Sequence, residues 1–146
     1  FVVLASSTKL LRNIDILYRQ RTNEQTEITF ISSESLERLK QIHQVTDERL
    51  ANWKFNRDFE ALERTRKQLF TTDKRCLKIS TIQSFKGWES PSVIVILESD
   101  FALHNTSFRP MSPQTIYTAI TRARESMYII NIGNDSYHNF FYNQAL

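Results

Sequence analysis

Cysteine occurs once, glycine twice and proline three times in 146 residues. A single thiol, Cys76, rules out a domain stapled by internal disulfides and fits a reducing compartment. Two glycines, Gly87 and Gly133, cannot build the G-x-x-x-x-G-K-[ST] loop that cradles nucleotide phosphates in many NTPases. No apolar run approaches the roughly 18 residues of a membrane span, and no secretory leader is visible. The expectation is a soluble, cytoplasmic protein with no membrane partner. His43, His104 and His138 fall outside any metal-ligand spacing, so no metal site is expected. Cys76 has no base beside it and reads as an incidental thiol.

What is present is a globular composition: 40% hydrophobic and 24% charged residues, at a length suited to one domain with a core. The net charge of +3 and pI near 9.1 admit a nucleic-acid or nucleotide partner without selecting one. Residues 34–75 carry ten Lys/Arg against eight Asp/Glu. They read as a solvated helical surface, with an extended nucleic-acid face as the other reading.

Five segments read as strands: Phe1–Ser6, Glu27–Ser32, Lys78–Ile82, Ser92–Glu98 and Ser126–Ile132. The run Ser92–Glu98 is continuously apolar, as in parallel strands covered on both faces. Between the strands lie helical patterns. Thr8–Arg21 carries Leu10, Leu11, Ile14 and Leu17 at helical spacing. Two or three helices occupy about 33–75, with "SSES" as a cap. A short helix follows Ser112-Pro113, and a last one covers about Tyr137–Ala145. Alternation of this kind predicts an α/β three-layer domain with a mostly parallel central sheet.

Two segments carry chemistry. "TIQSFKGWE", residues 81–89, follows the carboxyl end of a strand, where ligands of open α/β sheets bind. Gly87 lets backbone amides approach a ligand, Lys86 brings a positive charge, and Glu89 can accept hydrogen bonds from sugar hydroxyls. In "YTAITRARESMYII", residues 117–130, a helix would line up Ile116, Ala119, Ile120 and Ala123 as an apolar stripe. Arg122 and Arg124 would then flank that stripe, with Thr118 and Thr121 leaving room for a large partner beside Arg122. The plainer reading pairs Arg122 with Glu125.

Together the two segments resemble motifs V and VI of superfamily 1 DNA helicases of the UvrD/Rep/PcrA type. The family forms run close to T-x-H-S-x-K-G-L-E and Y-V-A-x-T-R-A-[RK]. "FVVLASSTKLLRNIDILYRQ" resembles the motif IV strand and helix, so the likeness covers nearly the whole chain apart from 34–75. It implies the second RecA-like (P-loop NTPase type) motor domain of a helicase, one domain over 1–146 cut from a larger protein and lacking its own Walker A loop. By that resemblance Arg122 would be an arginine finger on the γ-phosphate, the catalytic residue of ATP hydrolysis. Gly87 and Glu89 would share the ATP site, and Thr81, Gln83, Ser84 and Lys86 would meet single-stranded DNA through its backbone. ATP and Mg²⁺ would be held mainly by a first motor domain of the same polypeptide. Translocation would run 3′ to 5′, and the chain alone would be inactive.

Three positions depart from the family pattern. Gln83 stands for histidine, Trp88 for leucine, and Ala5-Ser6 for an aromatic–arginine pair in motif IV, with Arg12 as a conceivable stand-in. These departures keep open a non-catalytic docking or regulatory module that has lost ATP chemistry. An unrelated α/β nucleotide-binding protein would require both motif matches to be coincidence. The loop Ser99–Met111 reads as surface packing or as lining of a nucleic-acid channel.

Overall fold

The computed structural model describes residues 1–46, 52–71, 74–99 and 111–144. Among them are five strands and five helices: β1 (Val2–Ala5), α1 (Thr8–Thr22), β2 (Thr26–Ile28), α2 (Ser33–His43), α3 (Trp53–Leu69), β3 (Leu77–Thr81), β4 (Ser90–Glu98), α4 (Pro113–Ile120), β5 (Ala123–Ile132) and α5 (Asp135–Gln144). The strands form one sheet in the order β2-β3-β1-β4-β5, and every pairing is parallel. The mostly parallel expectation is therefore met by a sheet parallel throughout.

Alternation along the strands divides the core. Val2 and Leu4 join Val93, Val95 and Leu97 on one face, beneath Ile82, Phe85, Ile116 and Ala119. Val3 and Ala5 join Ile79 and Ile96 on the other, beneath Leu11 of α1. Helices on both faces give the three layers. A third cluster of Ile31, Leu36, Leu39 and Phe55 ties α2 to α3.

Local chemistry starts each helix. Ser7, Ser32, Asn52 and Ser112 accept hydrogen bonds from Leu10, Ser35, Phe55 and Thr115 N–H, and Pro113 follows the last of these caps. Such caps satisfy amides that a helix leaves open. Asn23 ends α1 in the left-handed region at φ 57°.

Three sequence expectations shift. The predicted strand to Ser32 ends at Ile28. Phe30 is buried against the sheet and Leu11 of α1, Ile31 packs with Leu36 and Leu39 of α2, and Ser32 serves as that helix's cap. The helix expected to run through Ala123 stops at Ile120. Ala123 pairs with Ser90 instead, so the long β4 recruits these residues into a strand. The last helix begins at Asp135, capped by Asn134, whose Oδ1 accepts from Tyr137 N–H at 3.0 Å.

Most consequential is the connection from β3 to β4. Thr81 ends β3, and Ser90 opens β4. Because the strands are parallel, Ile82–Glu89 must travel from the carboxyl edge of the sheet to its amino edge. It does so across one face, with Ile82 and Phe85 buried at 1% and 0% exposure. Phe85 meets Phe70 edge-on at 6.1 Å, and Phe70 meets Trp88 edge-on at 5.8 Å. This aromatic column occupies the place of a crossover helix.

Candidate functional site

The crossing separates the predicted site residues into two groups. At the carboxyl edge, Thr81 Oγ1 donates to Ser84 Oγ at 2.8 Å and accepts from Ser84 N–H at 3.1 Å. Behind it, Thr29 and Ser80 hydroxyls meet at 2.8 Å in a buried pair. Gln83 is exposed at this end, while Lys86 is exposed on the crossing stretch beyond Phe85.

At the amino edge stand Gly87, Trp88, Glu89 and Arg122. Gly87 has φ 91°, and a Cβ built there meets nothing within 4 Å. Glycine is needed for the backbone angle, not for want of space. Glu89 is exposed. The Trp88 ring leans on Phe70 with 40% of the residue still exposed, so it is part packing and part surface. Ser90 N–H donates to Arg122 carbonyl oxygen at 2.9 Å, which fixes the start of β5 beside the end of the loop.

Arg122 therefore lies in the turn after α4, not on the helix. Its guanidinium folds back: Nε donates to Thr118 carbonyl oxygen at 3.1 Å, Nη2 to Thr121 Oγ1 at 2.9 Å and Nη1 to Trp88 carbonyl oxygen at 3.4 Å. The two threonines expected to leave room beside it are instead its partners. Arg124 is exposed on β5, not on a helix flank. The expected Glu125 is not among the partners found for Arg122. Arg12, one turn into α1, donates Nε–H to Ile31 carbonyl oxygen at 2.9 Å. It lies at the carboxyl edge, across the sheet from Arg122.

The carboxyl edge holds a residue that sequence reasoning missed. β1 leads on to β2 on one side and β4 leads on to β5 on the other, so the crevice between β1 and β4 is the switch point where such sheets hold ligands. Glu98, the last residue of β4, reaches across it. Its Oε2 accepts from Ser6 N–H at 3.2 Å and Ser7 N–H at 3.1 Å. Burial pushes the Glu98 carboxyl above its ordinary range, against the lowering effect of those two bonds. Its place at the end of an apolar run was visible, but its partners are amides some ninety residues away in the chain.

The remaining candidates are structural. His43 pairs with Asp58 at 3.1 Å, and His138 stacks on Tyr142 at 5.9 Å. His104 and most of the 99–111 loop lie outside the described residues. Ion pairs Lys40–Glu37, Arg57–Asp58 and Lys67–Glu63 fit the solvated reading of the helical block. Among the described residues no group of three or more His, Cys, Asp or Glu side chains could hold a metal ion. No helix among them is long and apolar enough to cross a membrane.

A sheet that is parallel throughout, with helices on both faces, is the architecture of a RecA-like domain. The family model described as viral superfamily 1 RNA helicase core domain matches residues 5–131. The chain belongs to that family, and its role is that of a helicase-type motor. No curated protein matches it. The match agrees with the sequence resemblance at the level of superfamily 1, while its description names RNA helicases rather than DNA helicases.

Proposed function

We propose that residues 1–146 form the second motor domain of a superfamily 1 helicase, with Arg122 as the arginine finger of a nucleotide bound by a first motor domain. The observation that carries this reading is the joining of motifs V and VI at one edge. Arg122 bonds to Trp88 carbonyl oxygen, and Ser90 N–H bonds to Arg122 carbonyl oxygen, so Gly87, Glu89 and Arg122 face a partner together. A nucleotide approaching that edge brings γ-phosphate charge to the guanidinium and ribose hydroxyls to Glu89. The fork is already partly desolvated and held by three acceptors, which limits the entropy lost on engagement. Arginine fingers contribute about 10³–10⁵ in rate.

The other end of the loop is the nucleic-acid end in this reading. Thr81, Gln83 and Ser84 offer hydroxyl and amide groups suited to phosphate and sugar contacts, which carry no base sequence. Lys86 adds charge along the crossing stretch. The UvrD-like motif forms favour single-stranded DNA, and the nature of the strand is one axis of the test.

A second reading, a docking module without ATP chemistry, draws on two observations. The guanidinium is spent on internal partners, and the motif IV arginine is replaced by Ala5-Ser6 with Arg12 at the wrong edge. The test is strand-stimulated ATP hydrolysis by a polypeptide that joins this chain to its Walker A domain, with DNA and RNA strands compared. Arg122→Ala should lower the stimulated rate about a thousandfold or more, and Arg122→Lys should rescue little. A rate within a few-fold of wild type would make Arg122 structural and favour the docking module.

A further inference from the structure

The two outer strands end the sheet in different ways. β2 is three residues long and carries Glu27, a short, charged edge of the kind that discourages further pairing. β5 is ten residues long. On its inner side Ser126–Ile132 pairs in register with Ser92–Glu98, and among the described residues no strand pairs with its outer side. Alternate residues of β5 therefore turn N–H and C=O groups outward with no neighbouring strand to receive them. The stretch Ser126–Ile132 contains no charged residue and no proline, the usual means of blunting an edge. Tyr128, Ile130 and Ile132 are 54%, 49% and 47% exposed. They pair with Ile94, Ile96 and Glu98, so they lie on the face that carries α1. A long apolar edge with a bare backbone is a template for another strand.

We propose that this edge is an interface with a second copy of the chain, formed by antiparallel pairing of β5 with β5 about a two-fold axis at Ile129. The order of side chains along β5 is what favours self-pairing. About that axis Tyr128 lies opposite Ile130 of the second copy, and Ile130 lies opposite its Tyr128. These are two aromatic–β-branched pairs of the kind that stabilise antiparallel ladders. Met127 meets Asn131, Ser126 meets Ile132, and Arg124 and Glu125 fall outside the paired stretch, so no like charges are brought together. Moving the axis to Tyr128 would set Arg124 against Ile132, and moving it to Ile130 would shorten the ladder. Each copy uses its long edge in the pairing and keeps only the short β2 edge, which closes the assembly at a dimer. The inference is independent of any role for Arg122.

Sedimentation equilibrium of the chain, at concentrations up to about 0.1 mM, tests the proposal in wild type, Tyr128→Glu, Ile130→Lys and an equimolar mixture of the two variants. Wild type should dimerise. Each variant alone sets a charge against an apolar residue of its copy at two places and should dimerise at least about tenfold more weakly. In the mixture the new carboxylate meets the new ammonium while one Tyr128–Ile130 pair is kept, so a one-to-one dimer should return. A wild type that stays monomeric would overturn the proposal and leave the edge to a strand of another protein. Variants that dimerise like wild type, or a mixture that stays monomeric, would overturn it as well. If a variant does not fold, amide hydrogen exchange of wild type decides. Across the concentrations over which wild type passes from monomer to dimer, β5 amides should gain protection and β2 amides should not. A dimer that leaves β5 exchange unchanged would refute the pairing.

Discussion

The two edges of this sheet are built on opposite principles. At the carboxyl edge the polar groups satisfy one another: Glu98 caps the β1–α1 turn, Thr81 caps Ser84, and Asn134 closes the β5–α5 turn. At the amino edge Glu89 and Arg124 stand exposed, Gly87 opens onto empty space, and Arg122 is held by carbonyl and hydroxyl oxygens with no carboxylate found among its partners. A carboxyl edge usually serves as the ligand edge of an open α/β sheet. Here Glu98 occupies the turn at that edge, and Arg122 stands at the opposite one. The lesson is that one short motif segment can divide its polar groups between two opposite edges of a sheet.

Between the edges runs one eight-residue crossing pinned by Phe85, so breaking the pin should have the largest structural effect. Phe85→Ala removes a fully buried ring and should cost about 3–5 kcal/mol in denaturant unfolding of the chain. If the loop were merely draped on the surface, the loss would be below about 1 kcal/mol. Next comes Gly87→Ala. With no atom in the way, the whole penalty is conformational, about 1–3 kcal/mol for a non-glycine residue at positive φ. Ser7→Ala, which removes the side-chain cap of α1, should cost about 1 kcal/mol. The smallest effect is a pH dependence at Glu98. A carboxyl raised in the folded state binds its proton more tightly there than in the unfolded chain. It therefore favours folding below its ordinary value of 4.5, and that advantage is lost as pH rises through the folded value. Relative to Glu98→Gln, wild type should accordingly lose stability as pH rises from about 4 toward neutrality; paired melts over that range would show the opposite slope if the two N–H bonds outweighed burial.

Much of this frame was legible in the sequence because it rests on local signals. Apolar runs marked β1 and β4, and Ser112-Pro113 marked the start of α4. The end of α4 was not legible, because Ala123 fits both a helical stripe and a strand. Its pairing with Ser90 decides the matter, and that is a contact between distant residues. The same reason hid the real partners of Arg122: the carbonyl of Trp88 comes near only because the loop crosses the sheet. Motif resemblance treated residues 81–89 as one segment and could not reveal that its two ends lie at opposite edges of the sheet. Glu98 escaped notice because nothing in a strand-ending glutamate announces two amides from the first turn of the chain.

The central claim is that the loop's two ends serve different ligands, and one crossed measurement addresses it. Strand affinity and strand-stimulated ATP hydrolysis would be measured together in the polypeptide that includes the Walker A domain, for Arg122→Ala and for Thr81→Ala/Ser84→Ala. The account predicts that Arg122→Ala loses about a thousandfold or more in hydrolysis with strand affinity within about twofold of wild type. The Thr81/Ser84 variant should weaken strand binding and leave unstimulated hydrolysis unchanged. Equal losses of both properties in both variants would contradict it, and would mean that the two edges act as a single site.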